Sequence, residues 1–214
     1  YFELKDKFGI KESDPIPTRQ LNSYALSKLE GEKLVDKAFA EHQLPVVTLR
    51  PQAIFGPGDT AILPRFLAAN QKAGLPVFKG RSPILDVTYV DNCAYAIDLA
   101  LTAPQYVLGK HYNITNDEPI ELIPFLDELF LNLGFPLKRK NLPFPLVYGL
   151  AQVLEFVHSN FLPDVEPILT KYKVGILANS RTLDISAAKK DLGYKPLVSV
   201  SEGTERFIAW WNKK

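Results

Sequence analysis

Apolar residues in the first half of the chain alternate between helical and strand-like spacing. Leu26, Leu29, Leu34 and Ala38 recur at helical intervals, and the β-branched run that follows them ends at a proline. The same order is repeated further on, with helices predicted over 21–41, 62–73 and 91–102 and strands over 45–50, 76–79, 84–90 and 111–114. Helices that alternate with short buried strands are typical of an α/β fold with a parallel sheet.

The pattern changes after Pro119, where helices follow one another with short breaks. The stretch before Arg19 has neither period, and we predict an extended surface loop there. In the second half the predicted elements are helices over 120–133, 144–160, 165–174, 186–192 and 200–212 and a strand over 181–184. We therefore expect a smaller, mainly helical lobe that lies over one edge of the sheet and shapes a substrate pocket.

A loop rich in glycine and proline, residues 55–59, comes soon after the strand predicted to end at Arg50. Ligands of open α/β sheets bind at the carboxyl edge of the strands, so this loop is a candidate part of a binding site. Asp91 is predicted to cap the helix that begins there, because a side-chain oxygen at that position can accept from the first free N–H groups.

Charge and cysteine content indicate which kinds of partner and which cellular compartment to expect. Twenty-five basic and 24 acidic residues leave a formal charge of +1 with no long basic block, which argues against a nucleic-acid partner. Cys93 is the single cysteine, and no N-terminal apolar run resembles a secretion signal, so a cytoplasmic location is expected. The three histidines lie far apart in sequence, with no cysteine or carboxylate at ligand spacing, and no metal is assigned.

Tyr24 and Lys28 stand four residues apart on the first predicted helix and therefore share a face. A free tyrosine titrates near ~10, and a neighbouring cation favours its charged form. The pair is therefore a candidate for acid-base chemistry, in which Tyr24 exchanges a proton with a hydroxyl or carbonyl group. Tyr and Lys at this spacing are also common on solvated helices, so the pair alone does not establish a site.

Four motifs in a fixed order supply the context for this pair. The sequence resembles the extended short-chain dehydrogenase/reductase family, within the NAD-dependent epimerase/dehydratase superfamily, and is most similar to its 3β-hydroxysteroid dehydrogenase branch. The stretches that carry the resemblance are 12–15 with 22–28, 49–58, 86–92, and 179–186 with 192–196. The resemblance implies a Rossmann-like parallel sheet, of which this chain holds the back portion, together with a helical substrate lobe.

The same resemblance implies roles for particular residues. Tyr24 would be the general acid/base, and Lys28 would lower its pKa and bond the nicotinamide ribose of NAD or NADP, with NAD favoured. The cofactor-binding backbone is expected at Pro51, Gln52, Ala53 and Ile54, and the substrate wall at Phe55, Pro57 and Gly58.

Two parts of the family pattern have no counterpart in the chain. The Gly-x-x-Gly-x-x-Gly turn that receives a pyrophosphate is absent, and the catalytic serine or threonine would fall before Tyr1. The chain also contains no methionine. We expect the back portion of a longer enzyme, with a degenerate, non-catalytic relative as the alternative. The expected division is 1–50 with 88–116 for the dinucleotide-binding domain and 51–87 with 117–214 for the substrate lobe.

Two features favour an apolar substrate. Leu85 stands before Asp86, where the nucleotide-sugar enzymes of the family usually have an arginine for diphosphate, although Arg65 or Arg81 could take its place. The helix predicted at 144–160 carries a wide apolar stripe that would suit a pocket or a contact with a membrane surface. We expect interconversion of a secondary alcohol and a ketone on a sterol-like or other apolar substrate by a homodimer built partly on the Tyr24 helix. A nucleotide-sugar epimerase or dehydratase is the alternative enzyme class.

Overall fold

The computed structural model describes residues 5–18, 20, 22–78, 81–161 and 169–213. The α-helices in these ranges are α1 Ser23–His42, α2 Leu63–Lys72, α3 Val90–Thr102, α4 Leu122–Asn132, α5 Phe144–Phe161, α6 Lys171–Ile176, α7 Ser186–Leu192 and α8 Val200–Trp211. The strands are β1 Lys7–Ile10, β2 Thr48–Pro51, β3 Ile54–Phe55, β4 Leu75–Phe78, β5 Ile84–Leu85, β6 Thr88–Tyr89, β7 His111–Ile114, β8 Ile120–Glu121, β9 Arg139–Leu142 and β10 Arg181–Leu183. The mixed α/β architecture confirms the predicted fold class.

The strands form one four-stranded sheet and three two-stranded ribbons within the described ranges. The sheet has the order β1-β10-β5-β8, in which only β5 and β8 run antiparallel. The ribbons β2–β7, β3–β6 and β4–β9 are all parallel. The Thr88 hydroxyl donates to the carbonyl oxygens of Gln52 (2.7 Å) and Ile114 (3.0 Å), so it ties β6 to the ends of β2 and β7.

Residues 7–10 form a strand, and the predicted surface loop over the opening stretch is wrong at that point. The short run KFGI has no clear period of its own. It becomes a strand because it pairs in parallel with β10, more than 170 residues away in sequence. The β1 strand therefore belongs to the same sheet as β5 and β10 of the expected substrate lobe. The expected division into two domains remains a prediction.

Asp91 does not cap α3, contrary to the sequence-based expectation. The helix begins at Val90, so Asp91 lies within its first turn, and no side-chain cap is present at Tyr89. The Asp91 carboxylate instead accepts a 3.2 Å hydrogen bond from Arg206 on α8. A buried amide network holds this end of α3, because Asn116 accepts from the Tyr89 N–H and Asn92 accepts from the Val198 N–H.

Most predicted helices lie within two residues of their expected bounds. The helix predicted over 165–174 is the exception. Residues 165–168 lie outside the described residues, and α6 begins only at Lys171, where the Thr170 side chain accepts a hydrogen bond from the Lys173 N–H. The strand predicted over 84–90 is divided into β5 and β6, because the buried Asp86 accepts from the Leu183 N–H at 2.6 Å between them.

The largest apolar core lies between the β3–β6 ribbon and helices α2, α4 and α8. Phe55 and Tyr89 pack edge to face at its centre, with ring centroids 5.6 Å apart. A second core joins α3 and β7 to α7, and a third lies between β4, α5 and α6. The second core contains residues from both expected domains, so the two parts are packed directly against each other.

The main core gives a prediction about stability. Leu126 on α4 is fully buried, whereas Leu131 on the same helix is 71% exposed. We expect Leu126→Ala to lower the free energy of unfolding by about 2 to 5 kcal/mol, because it removes buried apolar contacts and leaves a cavity. Leu131→Ala should change it by less than about 0.5 kcal/mol. Urea unfolding of both variants checks this, and equal losses would contradict the assigned core.

Candidate functional site

Tyr24 and Lys28 lie side by side at the start of α1. The Asn22 side chain begins the helix by accepting a 2.8 Å hydrogen bond from the Ala25 N–H, which places Tyr24 in the first turn. The Lys28 ammonium lies 5.7 Å from the centroid of the Tyr24 ring. The predicted pair therefore shares one face, with the cation close to the aromatic ring.

This face of α1 is open. Tyr24 is 65% exposed and Lys28 is exposed, while Leu29 is the residue that α1 buries among its described side chains. The phenol and the ammonium are therefore accessible to a ligand.

An ion pair joins α1 to strand β2. Glu32 lies one turn after Lys28, and both of its carboxylate oxygens accept from Arg50, at 2.9 Å from Nε and 2.5 Å from Nη2. Arg50 also donates to the Glu12 carbonyl oxygen at 3.4 Å. The side chains of Glu32 and Arg50 are only 9% and 19% exposed. This two-bond geometry fixes both the distance and the rotation of α1 relative to β2.

His111 extends the same cluster. Its Nε2 lies 2.9 Å from a carboxylate oxygen of Asp36 and 3.9 Å from Glu32. The three side chains bring possible ligand atoms within 4.8 Å of one another, so carboxylates do join a histidine in space although the sequence spacing indicated otherwise. The Arg50 guanidinium already neutralises Glu32, and we therefore interpret the group as an ion-pair cluster.

The segment 51–54 is held against the sheet by its backbone. The Gln52 N–H donates to the Ile114 carbonyl oxygen at 3.1 Å, and the Ala53 carbonyl oxygen accepts from the Thr88 N–H at 3.3 Å. Ala53 adopts a left-handed conformation with φ 44°, which is uncommon for a residue other than glycine. The segment thus has a defined backbone shape, directly after the residue that binds Glu32.

Residues 55–58 divide between core and surface. Phe55 is 3% exposed and packs against Tyr89 and Phe125, so its side chain lies in the core and does not form an accessible wall. Gly56 has φ 142°, and a Cβ there would lie 2.7 Å from Val90. Pro57 is half-buried and Gly58 is exposed, which leaves these two at the surface of the loop.

Sequence reasoning missed the contribution of Tyr172 on α6. Burial raises the pKa of Tyr172, the Arg181 guanidinium opposes that rise, and the Tyr24 phenol adds to it. Burial also lowers the pKa of Arg181 to about 10. The pKa of Tyr172 therefore responds to the charges of both Arg181 and Tyr24. The surrounding sequence indicates only a short amphipathic helix, and nothing in it predicts this influence.

A polar cavity of about 320 Å³ lies beside the N-terminal end of β10. Its lining contains none of the predicted site residues and consists of Asp6, Arg81, Ser82, Pro83, Ala178 and Ser180. Arg81, which was considered as a replacement diphosphate ligand, donates to the Ala178 carbonyl oxygen and stacks 4.4 Å from the Phe144 ring centroid. The Arg81 guanidinium is therefore already engaged in contacts with other residues of the chain.

Parallel α/β sheets that bind ligands at the carboxyl ends of their strands are common among dinucleotide-binding proteins. The chain belongs to the NAD dependent epimerase/dehydratase family, whose model matches residues 4–115. This confirms the resemblance found in the sequence.

Curated relatives agree with the branch expected from the motifs. The chain is 36% identical to a 2-alkyl-3-oxoalkanoate reductase of Shewanella oneidensis, over 97% of the chain and 56% of the relative. It is 36% identical to a 3beta-hydroxysteroid-dehydrogenase/decarboxylase of Arabidopsis thaliana, over 92% and 47%. It is 33% identical to a sterol-4-alpha-carboxylate 3-dehydrogenase of Candida albicans, over 99% and 63%. The chain thus spans about half the length of the curated relatives it matches.

Solved structures share the fold at low sequence identity. The UDP-glucuronic acid 4-epimerase of Bacillus cereus, determined in complex with NAD, superimposes with a TM-score of 0.69 at 22% identity, over 98% of this chain and 56% of that one. The structure of gox2253 gives 0.71 at 23% identity, over 96% and 61%. At this identity the likeness establishes the fold.

The Glu32–Arg50 pair gives a second prediction. We expect Glu32→Gln to lower the free energy of unfolding by about 2 to 4 kcal/mol, because the largely buried guanidinium loses its charged partner. The control is Lys33→Gln on the same helix, which removes an ion pair with Glu30 whose side chains are more than half exposed. The control should cost less than about 0.5 kcal/mol. Thermal unfolding compares the two, and a control that destabilises as much as Glu32→Gln would refute the special role of the pair.

Proposed function

We propose that this chain provides the proton-transfer residues and the substrate lobe of an NAD-dependent dehydrogenase or reductase that interconverts a secondary alcohol and a ketone. The observation that carries the proposal is the exposed Tyr24–Lys28 pair on a helix that Glu32 and Arg50 fix against the start of segment 51–54. Family membership supports it.

In this proposal Tyr24 is the general acid/base. Its hydroxyl donates a proton to the substrate oxygen in ketone reduction, and its phenolate accepts the proton of the substrate hydroxyl in alcohol oxidation. The Lys28 ammonium, beside the ring, stabilises the phenolate that reduction leaves. NAD, when bound, supplies or accepts the hydride.

The residues present fit one end of a dinucleotide. Lys28 offers an exposed donor for a ribose hydroxyl, and the shaped backbone of Pro51, Gln52, Ala53 and Ile54 offers peptide groups for a carboxamide. The sequence contains no glycine-rich phosphate-binding turn. We therefore assign only the nicotinamide end of the cofactor to this chain.

The names of two relatives suggest a narrower substrate class. A 2-alkyl-3-oxoalkanoate and a sterol-4-alpha-carboxylate each place a carboxylate on the carbon next to the carbon that carries the reacting oxygen. We propose a β-oxo or β-hydroxy carboxylate with an apolar body. Pro57 and Gly58 would form part of the substrate wall.

A nucleotide-sugar epimerase or dehydratase is the rival enzyme class, because solved neighbours include such enzymes. The buried Leu85 offers no charge to a diphosphate, and Arg81 is engaged with Ala178 and Phe144. These contacts favour the apolar carboxylate. A non-catalytic relative is the second alternative. Turnover by the full-length protein would exclude it, and a lack of turnover would establish it.

Two partners are also proposed. A homodimer would use α1, on which Leu26 and Leu34 are 49% and 69% exposed. A membrane surface would use α5, on which Leu150 and Phe156 are 53% and 64% exposed.

A mutation tests the role of Tyr24. In the full-length protein we expect Tyr24→Phe to lower kcat at least about 100-fold, because the variant lacks the proton that the substrate oxygen needs. NAD affinity, measured by calorimetry, should change little. The control is Tyr106→Phe, which removes an exposed hydroxyl that donates to the Asp191 carbonyl oxygen. Near-wild-type turnover by Tyr24→Phe would remove the assignment.

Substrate competition tests the proposed class. We expect NAD-linked turnover of a long-chain 2-alkyl-3-oxo acid, with a kcat/KM at least about tenfold above that of the matching ketone without the carboxylate. Calorimetric titration with UDP-glucuronic acid should show no binding. Tight binding of the nucleotide sugar, with no turnover of the acid, would establish the rival class.

A further inference from the structure

Helix α5 is apolar on both of its faces. Its inner face contacts the third core, where Val147 and Ala151 are buried and the Phe144 ring packs against Phe78 and Tyr148. These contacts already account for the packing of α5 against the rest of the protein. Its outer face therefore needs a separate explanation.

The outer face of α5 exposes five large apolar side chains. Their spacing is helical, so they form one continuous stripe along the axis, and each is between 53% and 73% exposed. The stripe consists of Leu146, Leu150, Val153, Phe156 and Phe161. A contiguous apolar patch of this length is unusual on a water-exposed surface and indicates an interaction site.

The stripe carries no charge. Glu155 is the acidic residue of α5. Its carboxylate accepts a hydrogen bond from the Lys171 N–H at 2.7 Å and lies 3.1 Å from the Lys171 ammonium, so it is paired with α6. The His158 ring lies 2.8 Å from the Leu154 carbonyl oxygen of its own helix and is partly buried. Neither side chain places charge among the five exposed apolar residues.

Exposed cations precede the stripe. Lys138, Arg139 and Lys140 are all exposed, in the segment that leads through β9 into α5. Arg139 forms an ion pair with Asp127, which leaves the two lysines as the net positive charge of this segment. Lys72, also exposed, ends the helix that precedes β4, the partner strand of β9.

We propose that the outer face of α5 docks on an anionic lipid surface. An uncharged apolar stripe preceded in sequence by exposed lysines is compatible with a helix that lies in the membrane interface, where apolar side chains enter the acyl boundary and cations meet anionic headgroups. Within the described ranges no helix combines the length and the apolar character that crossing a bilayer requires. The proposed contact is a peripheral one, and it does not depend on the proposed reaction.

Vesicle flotation with the full-length protein tests this proposal. We expect the protein to float with vesicles of phosphatidylcholine and phosphatidylglycerol, and at least about tenfold less with pure phosphatidylcholine. Leu150→Glu with Val153→Glu should reduce flotation on the anionic vesicles at least about tenfold. The control is Leu101→Glu, a still more exposed leucine (80%) on α3, which should float as the wild type does. The melting temperatures of all variants should agree, since the substituted side chains are exposed.

Charge variants separate docking from self-association. Lys138→Glu with Lys140→Glu should lower flotation on anionic vesicles and leave the sedimentation coefficient unchanged. Failure of the wild type to float would overturn the proposal. So would a shift from dimer to monomer in Leu150→Glu/Val153→Glu with unchanged flotation, because the face would then bind a second copy of this chain.

Discussion

The bidentate ion pair between Glu32 and Arg50 is the contact on which the candidate site depends. A helix surface can rotate against a sheet when only apolar side chains hold it, whereas two parallel hydrogen bonds permit one orientation. The pair joins the turn after Lys28 to the residue before Pro51. It therefore couples the proposed proton-transfer residues to the backbone that is proposed to contact the nicotinamide.

The sequence predicts the elements that have strong internal periodicity. It does not predict elements that form only through contacts between residues distant in sequence. α1, α3, α7 and α8 follow from their apolar spacing and lie close to the predicted bounds. β1 could not be predicted, because its four residues become a strand only through pairing with β10. The same reason explains why His111 was not expected to meet Asp36, since the two residues lie on β7 and α1 and are 75 positions apart in sequence.

The residues of the candidate site divide in the same way, into those that the sequence predicts and those that it does not. The Tyr24–Lys28 face was predictable because spacing on one helix determines it. The burial of Phe55 was not, since its side chain turns into a core built from three later helices. The influence of the Tyr24 phenol on the pKa of Tyr172 was not predicted either, because α1 and α6 are distant in sequence. Residues from one element were thus predicted well, and residues that meet across elements were missed.

The central claim is that the Tyr24 hydroxyl exchanges a proton with the substrate oxygen. A crystal structure of the full-length protein with NAD and a β-hydroxy carboxylate tests it most directly. We expect the Tyr24 hydroxyl within about 2.6–3.2 Å of the substrate's hydroxyl oxygen, with the Lys28 ammonium toward the cofactor ribose. A substrate oxygen bound to a different acid or base, with Tyr24 facing solvent, would contradict it.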